Sequence, residues 1–306
     1  MRGLRKSYGA NEAVRGVSFD VEEGEIFAFL GPNGAGKTST VEILEGYRTR
    51  SVGEVSVLGF DPKERPVPMR QRIGIVLQEH GLPTDFRVGE LLTRFGSYYP
   101  RARDAGEVLG LVDLTDKREA LVGALSGGER RRLDFALALI GDPDLIFLDE
   151  PTTGFDPAAR RNSWEVIRNL CRLGKTVFLT THYMDEAQEL ADRIAVIADG
   201  VIVAEGTPDS IGGRDAANTV IRFSLPPGSD LRELPDLKPA SVETGDTVIL
   251  VRTSAPTKTL SVLTTWATKR RAELLGLSVT QPSLEDVYLK IVADSNGHES
   301  RDPVLS

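Results

Sequence analysis

The sequence predicts an α/β fold: a mostly parallel sheet core with an inserted α-helical subdomain, followed by a small α+β C-terminal domain. Three observations support this prediction. From about residue 17 to 206, short apolar runs alternate with helical patterns, as in a parallel sheet covered on both faces. Residues 84 to 140 show helical patterns and no strand-like alternation. Beyond Gly212 and Gly213 the composition shifts and a different mixture of strands and helices begins, which indicates a second domain.

The elements of the first domain, residues 1–210, follow from these patterns. Its clearest core strands are the nearly unbroken apolar runs EIFAFL, RIGIVL, LIFLD and TVFLTT. The run RIAVIADGVIVAEG predicts a hairpin at the sheet edge, with Asp199 and Gly200 in its tight turn.

The second domain is predicted over residues 218–295, after a linker at 211–217 and before a flexible polar tail at 296–306. Its strand candidates are TVIRFSL, DTVILVRT and AELLGLSVT, and its helix candidates are LSVLTTWATKR and SLEDVYLKIV.

The composition narrows the class of protein. With 306 residues, a formal charge of -8 and a pI near 5.2, the chain does not resemble a dedicated nucleic-acid binder, because such proteins need a net basic face. Cys171 is the single cysteine, so we expect a small buried side chain in a reducing cytoplasm. No run of eighteen apolar residues occurs, so we expect no direct membrane insertion, and another chain would do any spanning.

A phosphate loop is predicted at residues 31–38, GPNGAGKT, which match G-x-x-x-x-G-K-[ST] between a strand and a helix. Gly31, Gly34 and Gly36 let the backbone amides point at phosphate oxygens, next to a helix N-terminus. Lys37 would reach the β and γ phosphates, and the hydroxyl of Thr38 would hold Mg²⁺. The alternative, a glycine-rich turn that happens to contain a lysine, does not explain the flanking pattern.

Two carboxylates are predicted at the end of the strand LIFLD. Asp149 and Glu150 stand where ligands bind in open α/β sheets. One would bind Mg²⁺ through its waters, and the other would orient or deprotonate the attacking water. An adjacent acidic pair can also be a helix cap or a solvated turn.

The segment LSGGERRRLDFALALI, residues 125–140, predicts an amphipathic helix with a capping box between Ser126 and Glu129. Capping alone does not explain Gly127 and Gly128, because each glycine lowers helix propensity by about 1 kcal/mol. The basic run at residues 130–132 is interpreted as a solvated helix face.

Together these motifs resemble the nucleotide-binding subunits of ATP-binding cassette (ABC) transporters, in which LSGGQ is the signature motif. The resemblance covers residues 1 to about 210 and implies a P-loop NTPase (RecA-like) core that binds and hydrolyses ATP with Mg²⁺. In this family two subunits bind head to tail, and each signature closes over the partner's ATP. We therefore expect Ser126, Gly127 and Gly128 to contact the ATP of a second copy. Glu129 replaces the usual Gln, and we expect activity to survive this change.

The resemblance also assigns roles to residues elsewhere in the chain. Tyr8 matches the aromatic residue that stacks on adenine, and Asp156 matches the loop that crosses the dimer interface. Gln78 matches a glutamine that contacts Mg²⁺ or the attacking water, and His182 matches a histidine that contacts the γ-phosphate. The expected ATP-binding set also includes the neighbouring loop residues Pro32, Asn33, Ala35 and Ser39.

A narrower resemblance, to the daunorubicin-resistance type of drug-export ATPase, rests on QEHGLPTDFRVGELL, THYMDEAQELADR and PSLEDVYLKI. It implies a separate integral membrane permease subunit, export of a drug, antibiotic or lipid-like molecule, and a peripheral position on the cytoplasmic face of the membrane. The alternative is a soluble cassette protein acting on ribosomes or chromosomes. A single cassette, no heptad insert and an acidic balance count against that alternative.

Overall fold

The computed structural model describes residues 1–76, 81–213, 219–226, 234–238, 240–244, 248–280, 284–285 and 288. The chain divides into two compact units, Met1–Pro208 and Asp209–Ser306. In chain order the first unit contains β1 (Arg2–Tyr8), β2 (Asn11–Val17), β3 (Ile26–Leu30), α1 (Lys37–Leu44), β4 (Val52–Glu54), α2 (Val67–Arg70), β5 (Ile73–Val76), α3 (Val88–Gly96), α4 (Ala105–Leu111), α5 (Gly127–Leu139), β6 (Leu145–Asp149), α6 (Pro157–Arg172), β7 (Thr176–Thr181), α7 (Met184–Leu190), β8 (Arg193–Ala198) and β9 (Val201–Gly206).

The central sheet of the first unit has the strand order β5-β6-β7-β3-β8-β9. All neighbouring pairs are parallel except the last, in which β9 pairs antiparallel with β8 at the sheet edge. The turn of this hairpin has positive φ at Asp199 (45°) and Gly200 (79°), as a tight hairpin turn requires. The predicted α/β class, the four core strands and the edge hairpin are therefore confirmed.

A second, antiparallel sheet of order β2-β1-β4 lies in the same unit and was not predicted. Both strand pairings contain bulges, so apolar and polar residues do not alternate regularly along these strands and no period of two is visible in the sequence. One hydrophobic cluster joins the two sheets: Leu4 and Val14 from the small sheet share it with Phe29 and Phe147 from the large one. Its centre is an aromatic group in which the Phe19 and Phe27 rings stack with centroids 5.0 Å apart.

The predicted helical insertion contains α3, α4 and α5, which pack on one another. Leu133, Ala136 and Ile140 of α5 are buried as expected. The interpretation of residues 130–132 as a solvated face was wrong for Arg131, which is 2 % exposed. Arg131 lies on the same face as Phe135 and Ala138, four and seven residues further on, and both are buried.

The described elements of the second unit are β10 (Thr219–Ser224), β11 (Ser241–Thr244), β12 (Ile249–Thr253), α8 (Pro256–Arg270) and β13 (Leu275–Thr280). These four strands form an antiparallel sheet of order β11-β12-β10-β13. Strand β11 was not predicted, and α8 begins four residues before the predicted helix. The predicted helix SLEDVYLKIV and the tail at 296–306 lie mostly or wholly outside the described residues.

Ile221, Phe223 and Val251 form the small core of the second unit together with Leu263 from α8. Across the described ranges of both units, no helix is long and apolar enough to cross a membrane.

Candidate functional site

The phosphate loop connects β3 to α1 and is shaped by close backbone contacts. A Cβ atom on Gly31 would lie 2.4 Å from the carbonyl oxygen of Ile197, and one on Gly36 would lie 2.4 Å from that of Ala13. Gly36 also has φ +101°, a conformation that L side chains rarely adopt. The loop is further held by the hairpin turn, where the amide of Gly200 donates to the Ala35 carbonyl at 3.2 Å. Glycine is therefore required at both positions by the fold itself.

Lys37, the first residue of α1, is 5 % exposed and points back into the loop. Its Nζ donates to the carbonyl oxygens of Gly31 (2.7 Å) and Pro32 (3.1 Å) and lies 3.5 Å from Oε1 of Glu150. Burial lowers the pKa of this ammonium, and the Glu150 carboxylate opposes that shift. A phosphate group at the loop would meet a desolvated cation already aimed at it.

The predicted carboxylates stand at the carboxyl end of β6, as expected. Asp149 accepts a hydrogen bond from the Thr180 hydroxyl of β7, and burial raises its pKa, with the neighbouring Glu150 adding to the effect. The Glu150 amide donates to both the carbonyl oxygen and the hydroxyl of Thr180, at 3.1 Å each. Glu150 has φ 45°, in the left-handed region, so its side chain leaves the strand direction and turns toward Lys37.

His182 follows β7 and faces the same carboxylate. Its Nδ1 lies 3.2 Å from Oε2 of Glu150, and the hydroxyl of Thr153 donates to that oxygen at 3.1 Å. Lys37, Glu150 and His182 thus converge from three separate segments, with Asp149 next to them. An ammonium, a carboxylate and an imidazole in contact can bind a phosphate and handle the proton of an attacking water.

The segment 125–129 has a different character. Ser126 caps α5, since its hydroxyl accepts from the Glu129 amide (3.3 Å) and the Glu129 carboxylate accepts from the Ser126 amide (2.8 Å). These bonds, with the Ser126 hydroxyl and Lys117, hold the pKa of Glu129 down at about 2. A Cβ atom on Gly127 or Gly128 would meet no heavy atom within 4 Å beyond its own helix and chain neighbours. Nothing inside the described chain requires glycine there.

The remaining predicted residues are neighbours of Lys37 in the phosphate loop or belong to other segments. Tyr8, at the end of β1, is 40 % exposed, its hydroxyl lies 3.0 Å from that of Ser39, and the Lys6 and Arg48 cations lie over its ring. Asp156 caps α6 by accepting from the amides of Ala158 and Ala159, both at 2.9 Å. The loop residues Pro32, Asn33, Gly34 and Thr38 are exposed. Gln78 lies outside the described residues.

Three neighbours of the site escaped the sequence analysis. Glu45, at the end of α1, is 6 % exposed, and burial together with the nearby Asp149 and Glu42 raises its pKa to about 8. It stands four residues after the buried Val41, so helical spacing could have shown a carboxyl on the buried face. Arg131 and Glu186 hold the loop after Glu150, and only the three-dimensional contacts reveal this.

The comparisons with known proteins agree with this geometry. Residues 14–153 match the ABC transporter family, and residues 219–283 match the C-terminal domain of ABC transporter domain-containing proteins. The chain is 38 % identical over 305 residues to the Nod factor export ATP-binding protein I of Paraburkholderia xenovorans, covering 98 % of this chain and 97 % of that protein. It is 42 % identical over 237 residues to the protein of the same name from Burkholderia lata, covering 76 % and 78 %. A dimeric structure of a bacterial ABC transporter cassette superposes with a TM-score of 0.60 at 25 % identity, covering 67 % of this chain and 97 % of that one.

Proposed function

Because this chain belongs to the ATP-binding subunits of ABC transporters, in which ATP hydrolysis drives transport, we propose that it powers an exporter as a head-to-tail homodimer docked on a separate integral membrane permease subunit. In this proposal the chain sits at the cytoplasmic face of the membrane and is peripheral. It binds no nucleic acid and does not itself insert into the bilayer.

One observation carries this proposal. The phosphate loop is joined by contacts to a lysine, a carboxylate and a histidine, whereas the glycines at 127 and 128 are open and unused by their own chain. Ordinary helix stability disfavours glycine in a first turn. Open backbone amides at a helix N-terminus suit a phosphate brought by another molecule. Each ATP would therefore lie between the phosphate loop of one copy and the signature of the other.

The proposed chemistry uses residues of both copies. Lys37 exchanges its partner Glu150 for the ATP phosphates, which frees that carboxylate to orient and deprotonate water. His182, which lies beside Glu150 on the other side, contacts the γ-phosphate. Tyr8 stacks on adenine, while the loop from Gly31 to Ser39 surrounds the phosphates through the hydroxyls and the backbone amides of its residues other than Pro32.

The same site fits Mg²⁺. Thr38 offers an exposed hydroxyl, and the half-buried carboxylate of Asp149, whose pKa is raised by burial, would be stabilised by a nearby cation. Thr38, Asp149 and Gln78 would hold the ion. When bound, it neutralises charge on the transferring phosphoryl group. Asp156 and the signature residues Ser126, Gly127 and Gly128 belong to the partner-facing side.

The exported cargo is a drug, antibiotic or lipid-like molecule in our proposal. The stretches shared with daunorubicin-type exporters support a drug, and the relatives at 38 to 42 % identity carry the name Nod factor export proteins. Both groups are exporters, so the proposal that this system exports is better supported than the identity of its cargo.

The first experiment measures the ATPase rate per chain against chain concentration, with Mg²⁺, for the wild type and for Ser126→Arg. We expect the specific rate to rise with concentration in the wild type and to vanish in the variant, because an arginine would obstruct the shared site. A rate that is independent of concentration and unaffected by Ser126→Arg would contradict the shared site.

A second experiment tests the assigned base. Glu150→Gln should bind ATP but stop turnover and trap the closed dimer, whereas Glu165→Gln, an exposed carboxylate on α6, should behave as the wild type. Unchanged turnover in Glu150→Gln would refute the role of Glu150.

A third experiment asks what the chain co-purifies with. We expect it to be recovered with a membrane protein from detergent-solubilised membranes. Recovery with ribosomes instead would refute the assignment as an exporter subunit.

A further inference from the structure

Arg131 is a buried cation that the proposed chemistry does not use. It lies in the second turn of α5, the helix that begins at the signature, and it is 2 % exposed. Burying a guanidinium is costly unless its bonds are satisfied, and an apolar side chain of similar volume would often serve stability as well. The presence of arginine here therefore calls for a reason other than packing.

The guanidinium is directed at the loop that follows the proposed base. Its Nε donates to the carbonyl oxygen of Pro151 at 2.9 Å, and Nη1 lies 3.9 Å from Oδ2 of Asp134 on the next turn of α5. Burial lowers the pKa of Arg131, and the nearby carboxylates of Asp134, Glu186 and Asp149 oppose that shift. Pro151 is the residue directly after Glu150, so only this one residue separates the bond from the base.

The same loop is fixed on its other sides. The amide of Glu150 is bonded to Thr180 of β7, as described above. The hydroxyl of Thr152 donates to Oε1 of Glu186 at 2.8 Å, and the indole of Trp164 donates to the same oxygen at 3.0 Å. Glu186 is fully buried on α7. The bond from Arg131 thus ties α5 directly to the loop that follows Glu150, and β7 and α7 hold the same loop from its other sides, so a movement of α5 would reach Glu150 through this bond.

We propose that Arg131 is a positioning residue that couples the two ATP sites of the dimer, by transmitting the state of the signature in one site to the catalytic loop of the other. This inference rests on the proposed function, because in a head-to-tail dimer the signature of one copy covers the ATP of its partner. The Glu150 of that same copy acts on its own ATP. Contact between ATP and Ser126 would thus set the position of a base that belongs to the other site.

The test compares the ATP dependence of the ATPase rate in the wild type, Arg131→Met and Arg131→Lys. Arg131→Met keeps the volume and removes the bond. It should lower kcat about tenfold, the rate equivalent of one hydrogen bond from a charged group. The Hill coefficient should fall from above 1 in the wild type to about 1, and KM should change little, because the phosphate loop is untouched. Arg131→Lys restores a donor near Pro151 and should give intermediate values.

The control is Arg168→Gln, which removes an arginine that also joins two helices, through Glu189 of α7, away from the loop. It should leave kcat and the Hill coefficient unchanged. If Arg131→Met does not fold, as judged by its unfolding midpoint, Arg131→Lys alone decides between the same outcomes. Wild-type cooperativity in both Arg131 variants, or an equal loss in Arg168→Gln, would overturn the inference and leave the proposed function standing. A wild type without cooperativity, together with an active Ser126→Arg variant, would overturn both.

Discussion

The phosphate loop and the signature segment both depend on glycine, but for opposite reasons. In the loop, Cβ atoms at Gly31 and Gly36 would collide with backbone oxygens of the same chain. At Gly127 and Gly128 a Cβ would meet only open space. The first pair is needed for the chain to fold, and the second pair makes sense only for something that the chain binds. The difference separates residues that build the site from residues that complete it.

The largest expected effect is in the phosphate loop, where a Cβ atom would collide with the backbone. Gly36→Ala should lower the free energy of unfolding by roughly 3 kcal/mol, because unfavourable φ and steric overlap add, and it should also abolish ATP binding. Denaturant unfolding with and without ATP measures both quantities. A variant of wild-type stability would show that the loop tolerates the side chain and would break the comparison.

The signature segment, where a Cβ atom meets no neighbour, should respond in the opposite way. Gly128→Ala should leave unfolding unchanged or raise its free energy by up to about 1 kcal/mol, since alanine favours helix. The ATPase rate should nevertheless fall more than about tenfold, as expected when a donor to a developing charge is displaced. Denaturant unfolding should therefore show unchanged or higher stability while the ATPase assay shows a lower rate. Loss of stability in step with loss of activity would mean that Gly128 serves the fold.

Glu45, near the phosphate loop, and Glu129, in the signature segment, should make the free energy of unfolding depend on pH in different ways. The pKa of Glu45 is raised to about 8 in the folded chain from an ordinary value of 4.5, so the folded state holds its proton longer. Stability is then present in full below about pH 4.5 and is lost as the pH rises toward 8. Glu45→Gln should remove this loss and raise the free energy of unfolding by roughly 2 kcal/mol or more at pH 8, with little change at pH 5.

Glu129 provides the contrast to Glu45, since its pKa is lowered to about 2 and its contribution disappears only in strong acid. Unfolding of Glu129→Gln measured from pH 5 to 8 should run parallel to the wild type. A Glu45→Gln curve that also ran parallel to the wild type would show that the carboxyl of Glu45 titrates normally.

The smallest expected effect is on turnover in Glu129→Gln. Glutamine keeps the capping box and removes one partly buried negative charge near the proposed phosphate position. The ATPase rate should therefore rise, but by no more than about twofold, and the gain should shrink as salt screens the charge. Rates at low and high ionic strength test this. A large loss of activity would mean that the carboxylate itself takes part in the site.

The sequence predicted the parts of this molecule that depend on local pattern. Apolar runs identified the core strands, and the spacing of Gly31, Gly36 and Lys37 identified the phosphate loop. The small sheet of β1, β2 and β4 was missed because its bulged strands lack a regular period. The roles of the assigned site residues remain predictions, and Gln78 lies outside the described chain.

Buried charged residues were harder to predict from the sequence than the strands and the phosphate loop. Three arginines in a row look alike in the sequence, whereas in the structure Arg131 differs from its neighbours by its burial and by its bond to the Pro151 carbonyl, twenty residues away. Glu186 likewise looks like any helix-surface carboxylate until Thr152 and Trp164 are seen to bond to it. Long-range partners decide these positions, and a local pattern does not contain them.

The backbone of Glu150 has a consequence for how such subunits evolve. Its φ of 45° costs a residue with a Cβ about 1 kcal/mol or more, and glycine is free of that cost. Glu150→Gly would remove that cost, but it would also take the carboxylate away from the ammonium of Lys37, which is 5 % exposed, and this larger cost outweighs the relief. A subunit that no longer needs hydrolysis would therefore gain no stability by exchanging this glutamate for glycine.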